Sequence, residues 1–459
     1  MSIRFDKPMN VYFIGIGGIS MSGLAKILLK EGFRVSGSDP TKTELTTALE
    51  QSGATIYYDQ TTHHIEDDTD LVVYTAAIRE NNPEYVYMIE KGFKHMTRGQ
   101  FLGELMKNYS VPIAVSGTHG KTTTTSMLAE ILLGADTDPT LSVGGVLKSI
   151  GTNIRVGGPE YFLFEACEYT NSFLDFFPKI SIILNVEEDH LDFFKDIDDI
   201  RNSFNRFARL NPADGLLVIN GEMEGFDKVV AGVSCPIVTF GHDENCDVYA
   251  SDITFDESAH ASFKCHIKKT GECFDIKLNV TGEHNVYNAL SAIAVARYLG
   301  IPVDVIASSL LRCGGSKRRF EIRGSFNGVT VIDDYAHHPT EINATLDAAM
   351  KVSHRELWCV FQPHTYTRTK AFLKEFADVL SKADHVVLAD VYPAREKDIY
   401  GCNSQNLYEE IKKLGTDCHY FHSFDEILDY LYKNCINGDL LITVGAGDVV
   451  KIADRIVSK

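Results

Sequence analysis

The sequence has a single tryptophan and 13 prolines in 459 residues, and no part of it is repetitive or compositionally simple. Solenoid arrays and low-complexity tails are thereby excluded. Positive charge is scarce: 44 Lys and Arg stand against 63 Asp and Glu, a formal net charge of −19. Nucleic acid and anionic membrane both require a basic face, so neither is expected as a partner. One local basic stretch, "SKRRFEIR", is compatible with that balance. No apolar run reaches signal-peptide length near "MSIRFDKPMN", and none later reaches the span of a bilayer. The ten cysteines form no C-x-x-C pair, and Cys265 and Cys273 lack histidines at zinc-site intervals. They read as reduced core thiols of a cytoplasmic protein.

What is present describes a globular chain, with 44% hydrophobic and 23% charged residues. Its length suggests roughly two to four domains. Short β-rich runs alternate with helical patterns: "NVYFIGIG", "SMSGLAKILLKEG", "RVSGSD", "TELTTALEQSG" and "DLVVYTAAI". Such alternation implies parallel β-α-β units. After the joint "KNYSVP" a second series starts with strand "PIAVSG", loop "THGKT" and helix "TTTSMLAEILLG". Buried-looking strands "YFLFEAC" and "ISIILNV" and the helix in "GEHNVYNALSAIAVARYLG" follow. Beyond "LLRCGGSKRRF" come "VTVIDDYAHHP", "ELWCVFQPH", "HVVLADV" and "DLLITVGAGD", apolar strands that end in polar or glycine residues. The expected fold is α/β with three domains, at 1–108, 109–315 and 316–459. The outer two are expected to be Rossmann-like, the central one P-loop ATPase-like with a parallel or mixed sheet.

The stretch "SGTHGKTTTTS" carries the most chemistry. The common phosphate loop, G-x-x-x-x-G-K-[ST], would need a glycine where Val115 stands. Gly117 and Gly120 alone are also what a tight strand-to-helix turn uses. Lys121 is not explained by that, because a cation in the first helical turn opposes the helix dipole unless an anion sits there. Backbone amides and the ammonium together make an anion cradle, and the Thr122 hydroxyl is a magnesium ligand type. Magnesium held with a nucleotide also calls for a carboxylate at a strand end. Glu165 terminates the apolar "FLFE" with Glu168 close behind, and Glu187, Glu188, Asp189 and His190 follow "ILNV". Any one of these acids taken singly is as well explained as a solvated loop residue.

In their order these segments resemble the Mur ligase family of bacterial cell-wall synthesis. The family's short loop, "GTxGKT", stands here as "GTHGKT", which accounts for the missing glycine. "FEACEYTNSFL", "NVEEDHLD" and "GEHNVYNALSA" resemble its acidic, histidine and adenine-side segments. "SKRRFE", "DDYAHHPTEI", "FQPHTYTRT" and "DVYPARE" resemble the members that join L-alanine to UDP-N-acetylmuramate. The resemblance implies an ATP-dependent ligase that phosphorylates the lactyl carboxylate and then lets the amine of L-alanine attack, within peptidoglycan synthesis. It implies nucleotide contacts from Gly117, Thr118, His119, Gly120, Lys121, Thr122 and Thr123, from His284, Asn285 and Asn288, and from Arg319 and Asp334. It implies Mg²⁺ at Thr122, Glu165 and His190, and catalytic roles for Lys121, Glu165, His190 and Arg368. His337 and His364 are implied at the amino-acid pocket, although a histidine pair before proline also suits a capped loop. Many relatives have arginine where this chain has Thr365. A monomer or homodimer is expected.

The opening "GIGGIS" superficially fits a nicotinamide fingerprint, but Ser20 stands where the third glycine belongs. Amides at a helix start suit any diphosphate. By the resemblance this one belongs to UDP, with Gly17, Gly18 and Ser20 as its cradle and Asp39 and Thr75 near the uridine. Three rival readings remain at this point: a ligase adding a tripeptide to the same nucleotide sugar, a nicotinamide-dependent dehydrogenase, and a nucleotide-binding regulator.

Overall fold

The computed structural model describes residues 2–75, 78–394, 396–398 and 401–458. Arg395 of "DVYPARE" and the two alanines after Thr75 lie outside the described residues. Three sheets succeed one another along the chain, and each places its polar loops at the carboxyl ends of buried strands.

The first sheet has five parallel strands in the spatial order Thr55–Tyr57, Arg34–Ser38, Asn10–Ile14, Leu71–Tyr74 and His95–Thr97. The chain order reverses beside Asn10–Ile14, and this switch point opens a crevice above the "GIGGIS" turn. Every residue of Asn10–Ile14 is buried, as a central parallel strand requires.

The second sheet has ten strands. Val111–Ser116 lies between Tyr161–Glu165 and Ile180–Ile183, parallel to both. This register puts Glu165 opposite Val115 and Ile183 opposite Ser116. The acidic ends of both neighbours therefore flank the loop that follows Ser116. The sheet is mixed, because the ribbon Val248–Phe255, His260–Ile267 and Glu272–Thr281 extends one side in antiparallel fashion. The pair Thr140–Leu147 and Thr152–Arg155 closes the other side.

The third sheet has six strands, parallel except for the edge strand Glu321–Phe326. Its apolar clusters, one on each face, contain only residues of this domain. The first domain differs: its core runs without interruption into one face of the central sheet, from Phe13 and Phe101 through Tyr109 to Phe162 and Phe207. Gly103 is needed at this junction, since a Cβ there would sit 2.0 Å from the Asp175 carbonyl.

Among the described residues no helix is long and apolar enough to cross a membrane. Nine of the ten cysteines are buried or partly buried, but Cys273 is exposed on the antiparallel ribbon. The expectation that all ten are core thiols is corrected there: alternation along Glu272–Thr281 turns Cys273 outward.

Candidate functional site

The loop after Val111–Ser116 folds as a compact anion cradle. Gly120 has φ +85°, and a Cβ on it would meet Asn288 Oδ1 at 2.5 Å. Gly117 has φ +140°, and a Cβ on it would meet Leu184 Cβ at 2.9 Å. Both positions exclude side chains, which is why the loop can be so short. Asn185 fixes it by accepting from the His119 amide at 2.8 Å, and the Thr118 hydroxyl accepts from the Glu187 amide at 2.9 Å.

Lys121 begins the helix Lys121–Gly134. Its ammonium donates to the Gly117 and Thr118 carbonyls and to Glu168 Oε2 at 3.1 Å. Burial would lower its pKa, but the carboxylates around it, Glu168 foremost, raise it, so the charge is secure. Thr122 donates to Glu165 Oε2 at 3.1 Å, and the Gly144 amide donates to Glu165 Oε1 at 2.5 Å. Burial pushes the Glu165 carboxyl up.

Glu168 is 2% exposed, and its Oε1 is buried without a hydrogen-bond partner. His190 Nε2 lies 3.9 Å from that oxygen and 3.7 Å from Asp189 Oδ2. His190 thus joins Glu168 by direct proximity, while Glu165 joins Thr122. The sequence ranks Glu168 below Glu165, and the structure gives it the more central place. It immediately precedes the short 3₁₀ segment Tyr169–Asp175, in which Thr170 and Asn171 have positive φ, a turn no periodicity reveals. His190 itself has φ +53°. Non-glycine residues in that region are held there by surrounding structure and cluster at functional sites.

A cavity of about 590 Å³ opens between the central and third sheets. His119, Gly120 and Thr123 line it from the loop, His284, Asn285 and Asn288 from the helix His284–Tyr298, and Arg319 and Asp334 from the third domain. Asn288 donates to Asn285 Oδ1 at 2.8 Å, and Asn285 donates to the Thr281 carbonyl. Asp334 accepts from the Phe320 and Ala336 amides, and burial raises its pKa to about 6. Burial, aided by Arg319, lowers His284 to about 4.

Across the boundary the contacts are polar. His119 Nδ1 meets Glu341 Oε1 at 3.1 Å, and its Nε2 lies 3.6 Å from Glu187. Burial would lower the His119 pKa, yet Glu341 and Glu187 outweigh it and raise it to about 9. Glu341 also stands 4.0 Å from Arg319. His338 Nε2 donates to the Glu188 carbonyl at 3.0 Å, while Thr340 donates to Glu187 at 2.7 Å. Glu341 is the residue sequence reasoning missed. An acid in a first helical turn is ordinary dipole complementation and carries no functional signal.

Arg368 spans the same boundary, pairing with Asp189 Oδ1 through Nη2 at 2.9 Å and touching His364 Nδ1 at 3.2 Å. Burial would raise Asp189, but Arg368 holds its carboxyl well below the usual range. The His337 and His364 rings are 5.8 Å apart, and burial lowers both to about 4. These three candidates therefore form one group facing Asp189. Thr365 precedes the helix Tyr366–Ala371 with φ +68°, strained for a β-branched residue.

The remaining candidates lie on the first sheet's carboxyl edge. Asp39 accepts from the Gly17 amide at 3.0 Å, so it ties the glycine turn. Gly18 caps the helix Ile19–Lys30. Ser20 accepts from Arg98 at 3.0 Å, and Thr75 packs against Gly15.

Comparison with known proteins places this geometry. Residues 10–110 match the Mur ligase family catalytic domain, 115–296 the Mur ligase middle domain, and 318–447 the Mur ligase glutamate ligase domain. UDP-N-acetylmuramate–L-alanine ligase of Agathobacter rectalis is 55% identical over 457 residues, covering 100% of this chain and 99% of that protein. The enzyme of that name from Clostridium botulinum strain Langeland is 48% identical over the full length of both. Among solved structures, UDP-N-acetylmuramate-alanine ligase of Thermotoga maritima has TM-score 0.80 at 30% identity, with 98% of each chain covered. A murein peptide ligase of Psychrobacter arcticus has TM-score 0.71 at 29% identity over 98% of each chain. Three domain matches in sequence and a relative more than half identical along its whole length lead to one conclusion: this chain belongs to the Mur ligase family.

Proposed function

We propose that the chain joins L-alanine to the lactyl carboxylate of UDP-N-acetylmuramate at the expense of ATP, in peptidoglycan synthesis. The observation that carries this reading is a continuous run of polar contacts from Lys121 through Glu168, His190 and Asp189 to Arg368 and His364, starting next to Gly120 on the cavity wall and flanked by the Thr122–Glu165 pair. Adenine is assigned to the Asn285–Asn288 end and the phosphates to the amides of Gly120–Thr123. Phosphoryl transfer needs mainly alignment and charge neutralisation, which Lys121 and the loop amides provide.

The donor set suits Mg²⁺: a threonine hydroxyl already on a carboxylate, and a buried carboxylate oxygen with no hydrogen-bond partner among the described residues. Thr122 and Glu165 would hold it at the nucleotide, with Glu168 and His190 nearest the acceptor carboxylate. Bound there, Mg²⁺ supplies neutralisation of charge on the transferring phosphoryl group. Arg368 is assigned to the amino-acid carboxylate, in exchange for Asp189. His337 and His364 beside it, lowered to about 4, are neutral rings suited to accept a hydrogen bond from the incoming amine and so orient it rather than to retain its proton.

The tripeptide-adding reading has a solved relative at 29% identity, whereas the relatives at 48 to 55% are named for L-alanine. Phosphate release should require UDP-N-acetylmuramate and L-alanine together. Release with a tripeptide but not with alanine would replace this reading by its rival. Tight NAD binding would favour the dehydrogenase.

A further inference from the structure

Arg98 has entered so far only as the donor to Ser20. It opens the helix Arg98–Met106 directly after the edge strand His95–Thr97. In a parallel sheet all carboxyl ends share one edge, so Arg98, Thr75 and the Gly15–Gly18 turn lie along the same rim. The edge strand is two places from Asn10–Ile14, and the guanidinium reaches back across that gap to donate to Ser20 Oγ at 3.0 Å.

Its electrostatic setting is unusual. The partly buried arginines Arg201, Arg297, Arg318, Arg323 and Arg368 each pair with a carboxylate. Arg98, also partly covered, has no ion pair among the described residues, and its guanidinium donates to a neutral hydroxyl. Burial lowers its pKa, and Cys167 of the central domain is the ionisable neighbour that acts on it. A cation in a first helical turn is also opposed by the dipole. Covered, unpaired and set against a dipole, the guanidinium is arranged for an anion that arrives from outside.

The position says which anion. On one side stands the start of the helix Ile19–Lys30, directly after the glycine turn, and the first amides of a helix suit a diphosphate. On the other is the Ala166–Glu168 segment, which leads to Lys121 and His190. A nucleotide sugar reaching from the first domain to that centre must pass Arg98 with its diphosphate. We infer that Arg98, steadied by Ser20, is the cation that grips the diphosphate of the nucleotide-sugar acceptor and so sets the reach of its sugar towards Lys121 and His190. This rests on the proposed function.

The test is calorimetric titration of the full chain with UDP and with uridine, alongside steady-state kinetics. Arg98→Met is expected to weaken UDP by about 10- to 100-fold, the size of a lost charge-assisted contact, while uridine is unchanged. KM for the nucleotide sugar should rise by a similar factor, with kcat and the KM values for ATP and L-alanine little altered. Arg98→Lys keeps the charge without the fork and should recover much of the UDP affinity. It also serves as the variant of record if Arg98→Met fails to fold: it should then bind UDP less tightly than wild type with uridine unaffected. Wild-type binding of UDP that neither variant weakens, or an equal loss for uridine, would overturn the role of Arg98 alone. A wild-type chain that binds neither UDP nor UDP-N-acetylmuramate would overturn the proposed function and this role with it.

Discussion

Lys121 meets the adverse dipole of its helix with two loop carbonyls and Glu168, contacts an arriving phosphate can replace. Lys121→Ala should therefore cost roughly 10²–10³-fold in turnover while leaving the fold intact. Near-normal turnover would remove the loop from the chemistry. The acids can be separated by coupling. Glu168 is within 3.9 Å of His190, whereas Glu165 is bound to Thr122 and Gly144. A double-mutant cycle of Glu168→Gln with His190→Ala should show stronger non-additivity than Glu165→Ala with His190→Ala, and both defects should deepen at low Mg²⁺. Equal, additive defects at every Mg²⁺ concentration would sink the shared ion. At this scale the sequence is legible where a residue ends an apolar strand, as Glu165 does. It is opaque where a residue sits on an irregular turn, as Glu168 does, or where a helix start already explains it, as with Glu341.

Between elements, the loop Gly117–Gly120 and the start of the helix Pro339–Lys351 share a histidine system whose stabilisation is lost as pH moves in either direction. Burial lowers His338 to about 4, and as a neutral ring it donates to Glu188 while accepting from Thr340. Unfolded, it would titrate near 6.5, so the unfolded state binds more protons between about pH 6.5 and 4. Its contribution is complete above that window and is lost as pH falls through it, by at most about 1.4 kcal/mol per pH unit. His119 has the opposite sign. Raised to about 9, it stabilises fully below about pH 6.5 and loses that effect as pH rises towards 9. Urea titrations should show His338→Gln flattening the acid limb and His119→Gln the alkaline limb. Unaltered limbs would mean these rings do not hold the two domains together. Regular elements were largely legible, since the strands Asn10–Ile14, Val111–Ser116 and Leu440–Val444 are continuous apolar runs. The antiparallel ribbon was not read, although "HASFKCHI" alternates inward and outward, because polar residues fill one face of each strand.

Across the whole molecule, the first two domains share one apolar core, whereas the third meets the second through ion pairs and hydrogen bonds. Polar boundaries of this kind permit relative motion, and the cavity must open for nucleotide exchange. Scattering should show compaction when an ATP analogue and UDP-N-acetylmuramate are both present, and an unchanged radius would count against closure. Calorimetry should resolve the third domain as a separate transition from the first two; a single cooperative peak would contradict the division of cores. The order of three α/β units was legible from alternating patterns, but the unequal joints were not, because both are short polar segments in sequence. The exposed thiol of Cys273 makes such motion observable. Eight thiols are buried, and burial pushes the partly covered Cys167 up to about 11, so a maleimide dye should label the native chain chiefly once, on the face of the antiparallel ribbon. With a second cysteine engineered on the third domain, the natural sequence already supplies one end of a molecular ruler for watching single enzymes close.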